Sequence, residues 1–239
     1  MSEYRLAEGL FLAITPAGAY YAVSRDEPEP LRALLLALLA ADVSPPLDEH
    51  TLFQLGAETG ENDVPALLHR AQRLALIQGE TMAVNAPVAS LEMRAPALIA
   101  ELSGLGRAVL AEADGFYVAR ADVPHEAAEE ISALSADLSA LITRHRGLLS
   151  NNLNLGADAW GALDAAGNST LGIWPLYVGG KRFALAVLGE PRLNRPAFTE
   201  LIWLLVRRYG HAQPDADELV SRSRASYAAH RLSQAHDEG

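Results

Sequence analysis

The segment Pro196 to Tyr209 constrains this chain more than any other. Phe198, Leu201, Ile202, Trp203, Leu204, Leu205 and Val206 crowd seven large apolar side chains into nine positions. Pro196 marks a helix start, because a first-turn N–H has no intrahelical partner to lose. At 3.6 residues per turn the run is apolar on nearly every side, so one sheet face cannot hide it. A second surface has to cover this helix.

Composition sets the scale. With 239 residues, half of them hydrophobic, the chain has material for one large domain or two small ones. Fibrous, collagen-like and wholly disordered classes are excluded. The longest wholly apolar run, Ala33 to Ala41, is nine residues, against ~20 for a membrane helix. The N-terminal MSEYRLAEGL is acidic and lacks a long apolar core, so no secretion signal is read. A cytoplasmic protein with no membrane insertion is expected. Thirty Asp and Glu against 19 Lys and Arg give a formal charge of −11, which repels phosphate backbones and disfavours nucleic acid. The absence of cysteine excludes disulfides, thiolate metal sites and cysteine nucleophiles.

Two patterns follow one another along the chain. In the first, Leu10 to Ile14 and Ala19 to Ser24 flank TPAG and read as a small hairpin. Leu31, Leu34, Leu35, Leu38 and Leu39 then mark a helix buried on a wide face, and LDEHTLFQLGAE a second, short helix. A third helix is capped by Asn62 or Asp63, with Leu67, Ala71, Leu74 and Gln78 inward, and ends at Gly79 before a wing strand at TMAV. This is the order of a winged helix, expected over residues 1–86. His69, Arg70 and Arg73 share its third helix's outer face and would be the DNA contacts of a dimeric transcription regulator. Five Arg in this unit, against an excess of acids, favour protein contact instead.

Residues 87–96, with prolines and small residues, read as a linker, and residues 97–210 as the second unit. Its helix, Ala97 to Leu102, precedes strands at 107–111 and FYVARA, joined by the Asp114-Gly115 turn. A helix from Pro124 to His145 carries Ala127, Ile131, Leu134, Leu138 and Leu141 on one face. Strands at 157–164, 169–178 and 182–188, turned at AAGN and Gly179-Gly180, lead to the apolar last helix. Residues 211–239 read as a partly ordered helical tail.

The helix-β-β-helix-β-β-β-helix order, with EADGFYVA, HEAAEEISALSADLSALI and GIWPLYVGGKRFALAVLGEPRLNRPAFTELIWLLVRRY, resembles the roadblock/dynein light chain domain. The likeness covers about half the chain and rests on fold patterns. It implies a five-stranded antiparallel sheet between helices, which together with the winged-helix-like first unit, outside the likeness, makes an α+β protein. It also implies a scaffold without an active site or cofactor, which pairs with itself through its third strand and central helix. Bacterial members of that family commonly bind small Ras-like GTPases.

The residues supply their own candidate for the pairing surface: Ser132, Ser135, Ala136, Ser139 and Thr143 recur at three- and four-residue spacing, and small side chains let a second helix approach. Trp203 and Val206, away from the Phe198, Ile202, Leu205 and Tyr209 stripe, are the candidate contacts to a partner or to the other domain.

Catalytic signatures are missing. Gly179-Gly180-Lys181-Arg182 lacks the upstream Gly and the Ser/Thr of a phosphate loop and falls between strands. His125 and Glu129 share a helix face without a third metal ligand, and no GxSxG elbow occurs. A small-molecule sensor, with a pocket between sheet and helices, is the third reading of function.

Overall fold

The computed structural model describes residues 6–7, 9–145, 147–152 and 159–210; the expected tail, 211–239, lies outside them. The chain opens with β1 (Phe11–Ile14) and α1 (Pro16–Val23). The second half of the expected hairpin is therefore a helix. The TPAG stretch is a helix start rather than a turn: the Thr15 hydroxyl accepts from the Gly18 N–H at 3.1 Å, and Pro16 occupies the first turn. Three helices follow: α2 (Pro30–Ala40), α3 (Glu49–Thr59, capped by Asp48) and α4 (Val64–Arg73, capped by Asp63).

In α4 the inward residues are Val64, Leu68 and Ala71, while Leu74 is 51 % exposed. The expected face over Leu67, Leu74 and Gln78 fails because the helix stops at Arg73 and Ala75 turns to φ +54°. That turn sends Ile77–Glu80 out as β2, antiparallel to β1, instead of a wing strand at TMAV.

Helix α5 (Leu91–Glu101) takes in residues 91–96 of the expected linker. Ser90 caps it, and the buried face of Leu91, Ala95, Leu98 and Ile99 outweighs the hydrogen bond that Pro96 removes from its interior. The remaining strands and helices fall close to their expected places: β3 (Ala108–Glu112), β4 (Tyr117–Ala121), α6 (His125–Arg144), β5 (Trp160–Leu163), β6 (Ser169–Val178), β7 (Lys181–Leu188) and α7 (Pro196–Tyr209), with a short, unexpected π-helical turn (Gly147–Asn152) after α6. The strands form one antiparallel sheet in the order β4-β3-β7-β6-β5. Gly179 and Gly180, at φ +57° and +80°, make the two-residue β6–β7 turn.

The sheet is covered on both faces. Leu110, Leu176, Phe183, Leu185 and Val187 pack under α5 and α7. Val109, Ala111, Ile173, Ala184 and Ala186 form the smaller core beneath α6. Beyond α7 lie α1 and α2, so the last helix is held between the sheet and the N-terminal helices. All seven of its large apolar residues are buried. Leu31, Leu34, Leu35 and Leu39 join Phe198, Leu201 and Ile202 in a single cluster, making the two halves of the chain one hydrophobic core. The second cover that α7 requires is the chain's own N-terminal unit.

Candidate functional site

The small-residue strip on α6 does not face outward. Ser132 and Ser135 are fully buried and Ser139 nearly so, over the sheet. Each hydroxyl is spent within the helix: Ser132 on Ala128 O (2.7 Å), Ser135 on Ile131 O (2.8 Å) and Ser139 on Ser135 O (2.7 Å). Small side chains do permit close approach, but the surface approached is the helix's own sheet, whose facing residues include Ala111, Ala184 and Ala186. Ala136 packs toward the β3–β4 turn, where a Cβ added to Gly115 would lie 3.8 Å from its own Cβ. Thr143 is exposed, with its hydroxyl 3.5 Å from an Arg182 guanidinium nitrogen. The three serines are thus corrected from a contact between copies to an internal one, while Thr143 lies at the surface.

What α6 leaves open is its apolar flank. With Ala133 and Ala136 against the β3–β4 turn, the opposite flank of Ile131, Leu134, Leu138 and Leu141 turns to the β6–β5 side of the sheet. Ile131 and Leu138 are half-buried against the small core, whereas Leu134 and Leu141 are 44 % and 38 % exposed. These residues were expected to be the buried face. They are displaced because the residues nearest the sheet had to be small.

On that side the sheet ends in β5, which among the described residues pairs with β6 alone, all four of its residues exposed. Trp160 stands opposite Ile173 and so on the α6 face of the sheet. The strand is held in register by its turn: Asp164 accepts from Ala166 N (2.8 Å), Asn168 N (2.9 Å) and Asn168 Nδ2 (3.0 Å). The Asn168 bonds foremost hold its carboxyl below the usual range. Among the described residues this edge strand has one side unpaired and carries the exposed Trp160 and Leu163, and with the exposed Leu134 and Leu141 on the α6 flank turned to that side it is a template for strand addition.

The other candidate residues are placed as follows. Trp203 donates from Nε1 to Ala41 O at 3.0 Å, and Val206 is buried in the same core, so both serve the contact between the halves of the chain. Arg207 pairs with Asp42 (2.6 Å) across this contact, while Arg94 with Glu200 (2.7 Å) and Arg208 with Glu92 (2.9 Å) tie α5 to α7. His69, Arg70 and Arg73 are exposed on α4, and Arg70 pairs with Glu29 at 3.4 Å.

His125 meets Glu129 at 3.5 Å and the Tyr117 hydroxyl at 2.9 Å. Among the described residues no three His, Asp or Glu side chains converge as metal ligands, and no helix is long and apolar enough to cross a membrane. A cleft of about 380 Å³ lies between the Arg25–Arg32 region and the β6–β7 turn. Arg32 there is occupied by Tyr21 O (2.6 Å) and Glu27 O (3.1 Å). Burial, and then the Glu29 carboxylate bonded to it, raise the Tyr21 phenol above its ordinary value.

No protein-family model matches the chain, and no curated protein or solved structure matches it.

Proposed function

We propose that this is a non-enzymatic regulatory or scaffold protein that pairs with a second copy of itself. The pair would present a composite surface to a cytoplasmic partner of the small Ras-like GTPase class. The observation that carries the reading is the β5 edge, open among the described residues, at the end of the sheet toward which the exposed Leu134 and Leu141 of α6 turn. Two copies meeting there extend the sheet and cover each other's apolar flanks without disturbing either core. The strand order and the placing of α6 against β3 and β7 agree with a roadblock-like reading of the second unit. Helices α2, α3 and α4, with the β1–β2 strand pair, agree with a winged-helix-like reading of the first.

The mechanism on this reading is conformational selection: the pair binds one nucleotide state of its partner more tightly and shifts its population by that difference in affinity. Capture from the source cell extract, in the presence of GDP or of a GTP analogue, tests it. A GTPase retained in one nucleotide state, and lost when Leu134 and Leu141 are both changed to Asp, is the expected result. Eluates without a GTPase in either state would reject the partner class.

A further inference from the structure

A cavity of about 400 Å³ opens where the two halves of the chain meet. Its walls come from β1, α2, β2, the segment after β2 and α7. Leu12, Leu38, Leu39 and Trp203, all at most 9 % exposed, and the half-open Val84 make it predominantly apolar. The volume falls in the range of small-molecule sites, which favour such junctions between structural units.

The polar groups at its margin narrow the ligand. Among the described residues no Lys, Arg or His lines it, whereas Glu80 and Glu200 contribute carboxylates. Arg94 neutralises Glu200 through two bonds of 2.7 and 3.1 Å, and the Gln78 amide donates to Glu80 at 2.7 Å. The first turn of α7 adds only a partial positive charge, near half a unit, and Arg195 at its N-cap is not among the residues that line the cavity. An anion entering here would lose its hydration and meet the Glu80 carboxylate, which the neutral Gln78 amide bonds without cancelling its charge. Neutral hydrogen-bonding groups remain on offer: Asn85, and the Ser44 hydroxyl, which accepts from Val84 N at 2.8 Å and keeps its own proton to donate.

We infer that this cavity binds a compact, uncharged, mainly apolar molecule carrying one hydroxyl-like head, and that binding clamps α7 to the N-terminal unit. The inference does not depend on self-pairing, because the cavity lies on the opposite side of the sheet from α6.

The test uses the full chain and two probes matched in size, 2-phenylethanol and phenylacetate, followed by amide NMR and thermal melting. Saturable shifts centred on the cavity with the alcohol, a raised melting temperature, and at least about tenfold weaker binding of the acid are expected. Val84→Trp, at the exposed mouth, and Ala13→Leu, in the wall, each remove alcohol binding by filling space. Having two variants keeps the test usable if one fails to fold. Absence of saturable shifts with the alcohol, equal binding of the acid, or undiminished binding by both folded variants would overturn the inference.

Discussion

Ser135→Arg destabilises the protein by about 4 kcal/mol, the scale of an uncompensated charge buried in a core. Ser135 is fully buried, and its hydroxyl needs nothing beyond the Ile131 carbonyl one turn earlier. A guanidinium there must lift α6 from β3 and β7 or lie unpaired among Ala111, Ala184 and Ala186. Ser135→Ala, by contrast, leaves stability within about 0.5 kcal/mol, because the lost bond is internal to the helix and Ala is the better helix former. Urea unfolding of both variants checks the pair. If Ser135→Arg were as stable as the parent and altered only the mass of the particle, the strip would be an outer surface after all.

Trp203→Ala costs about 3–5 kcal/mol, the usual penalty for deleting a buried aromatic side chain. The indole fills the junction between α7 and the N-terminal unit and satisfies Ala41 O. The two halves should also lose cooperativity, since one cluster now joins them. Trp203→Phe keeps most of the apolar contact and gives up the 3.0 Å bond, a loss of about 1–2 kcal/mol. A calorimetric melt of Trp203→Ala that matched the parent would show that the indole faces solvent or an absent partner rather than this junction.

At both positions the residue type is legible in the sequence and its neighbour is not. The apolar excess of α7 implies a cover on two sides, and the periodicity of that helix is legible because all seven large apolar residues fall within two and a half turns. What covers it depends on how α1 and α2 dock, and no local pattern encodes that. The alternation of β6 and β7 and the Gly179-Gly180 turn are equally legible, since side-chain period and positive φ are local properties.

Helix α6 misleads for a physical reason. Hydrophobicity alone places Ile131, Leu134, Leu138 and Leu141 inward, yet the sheet beneath carries alanines at close range, and the distance between layers selects serine for the nearest face. The signal that could have found this lies in the strands: Ala111, Ala184 and Ala186 on one sheet face demand a close helix. Thr15-Pro16 misleads in a smaller way, because a capping Thr before Pro uses the same residues as a turn.

The candidate pairing face was legible only in part. An edge strand cannot be recognised until strand order is known, and β5 lies at the edge because β7 returns between β3 and β6. The exposure of Leu134 and Leu141 then follows from the burial of Ser132, Ser135 and Ser139 on the adjoining face.

Self-association through that face is checked by particle mass from light scattering after size exclusion. The parent protein is expected at twice the 25.6 kDa of one chain. The Leu134→Asp, Leu141→Asp variant is expected at 25.6 kDa, with melting little changed because both positions are exposed. A parent protein that stays at 25.6 kDa up to about 100 μM, where interfaces of ordinary size are formed, would contradict it. So would a folded double variant that keeps the doubled mass.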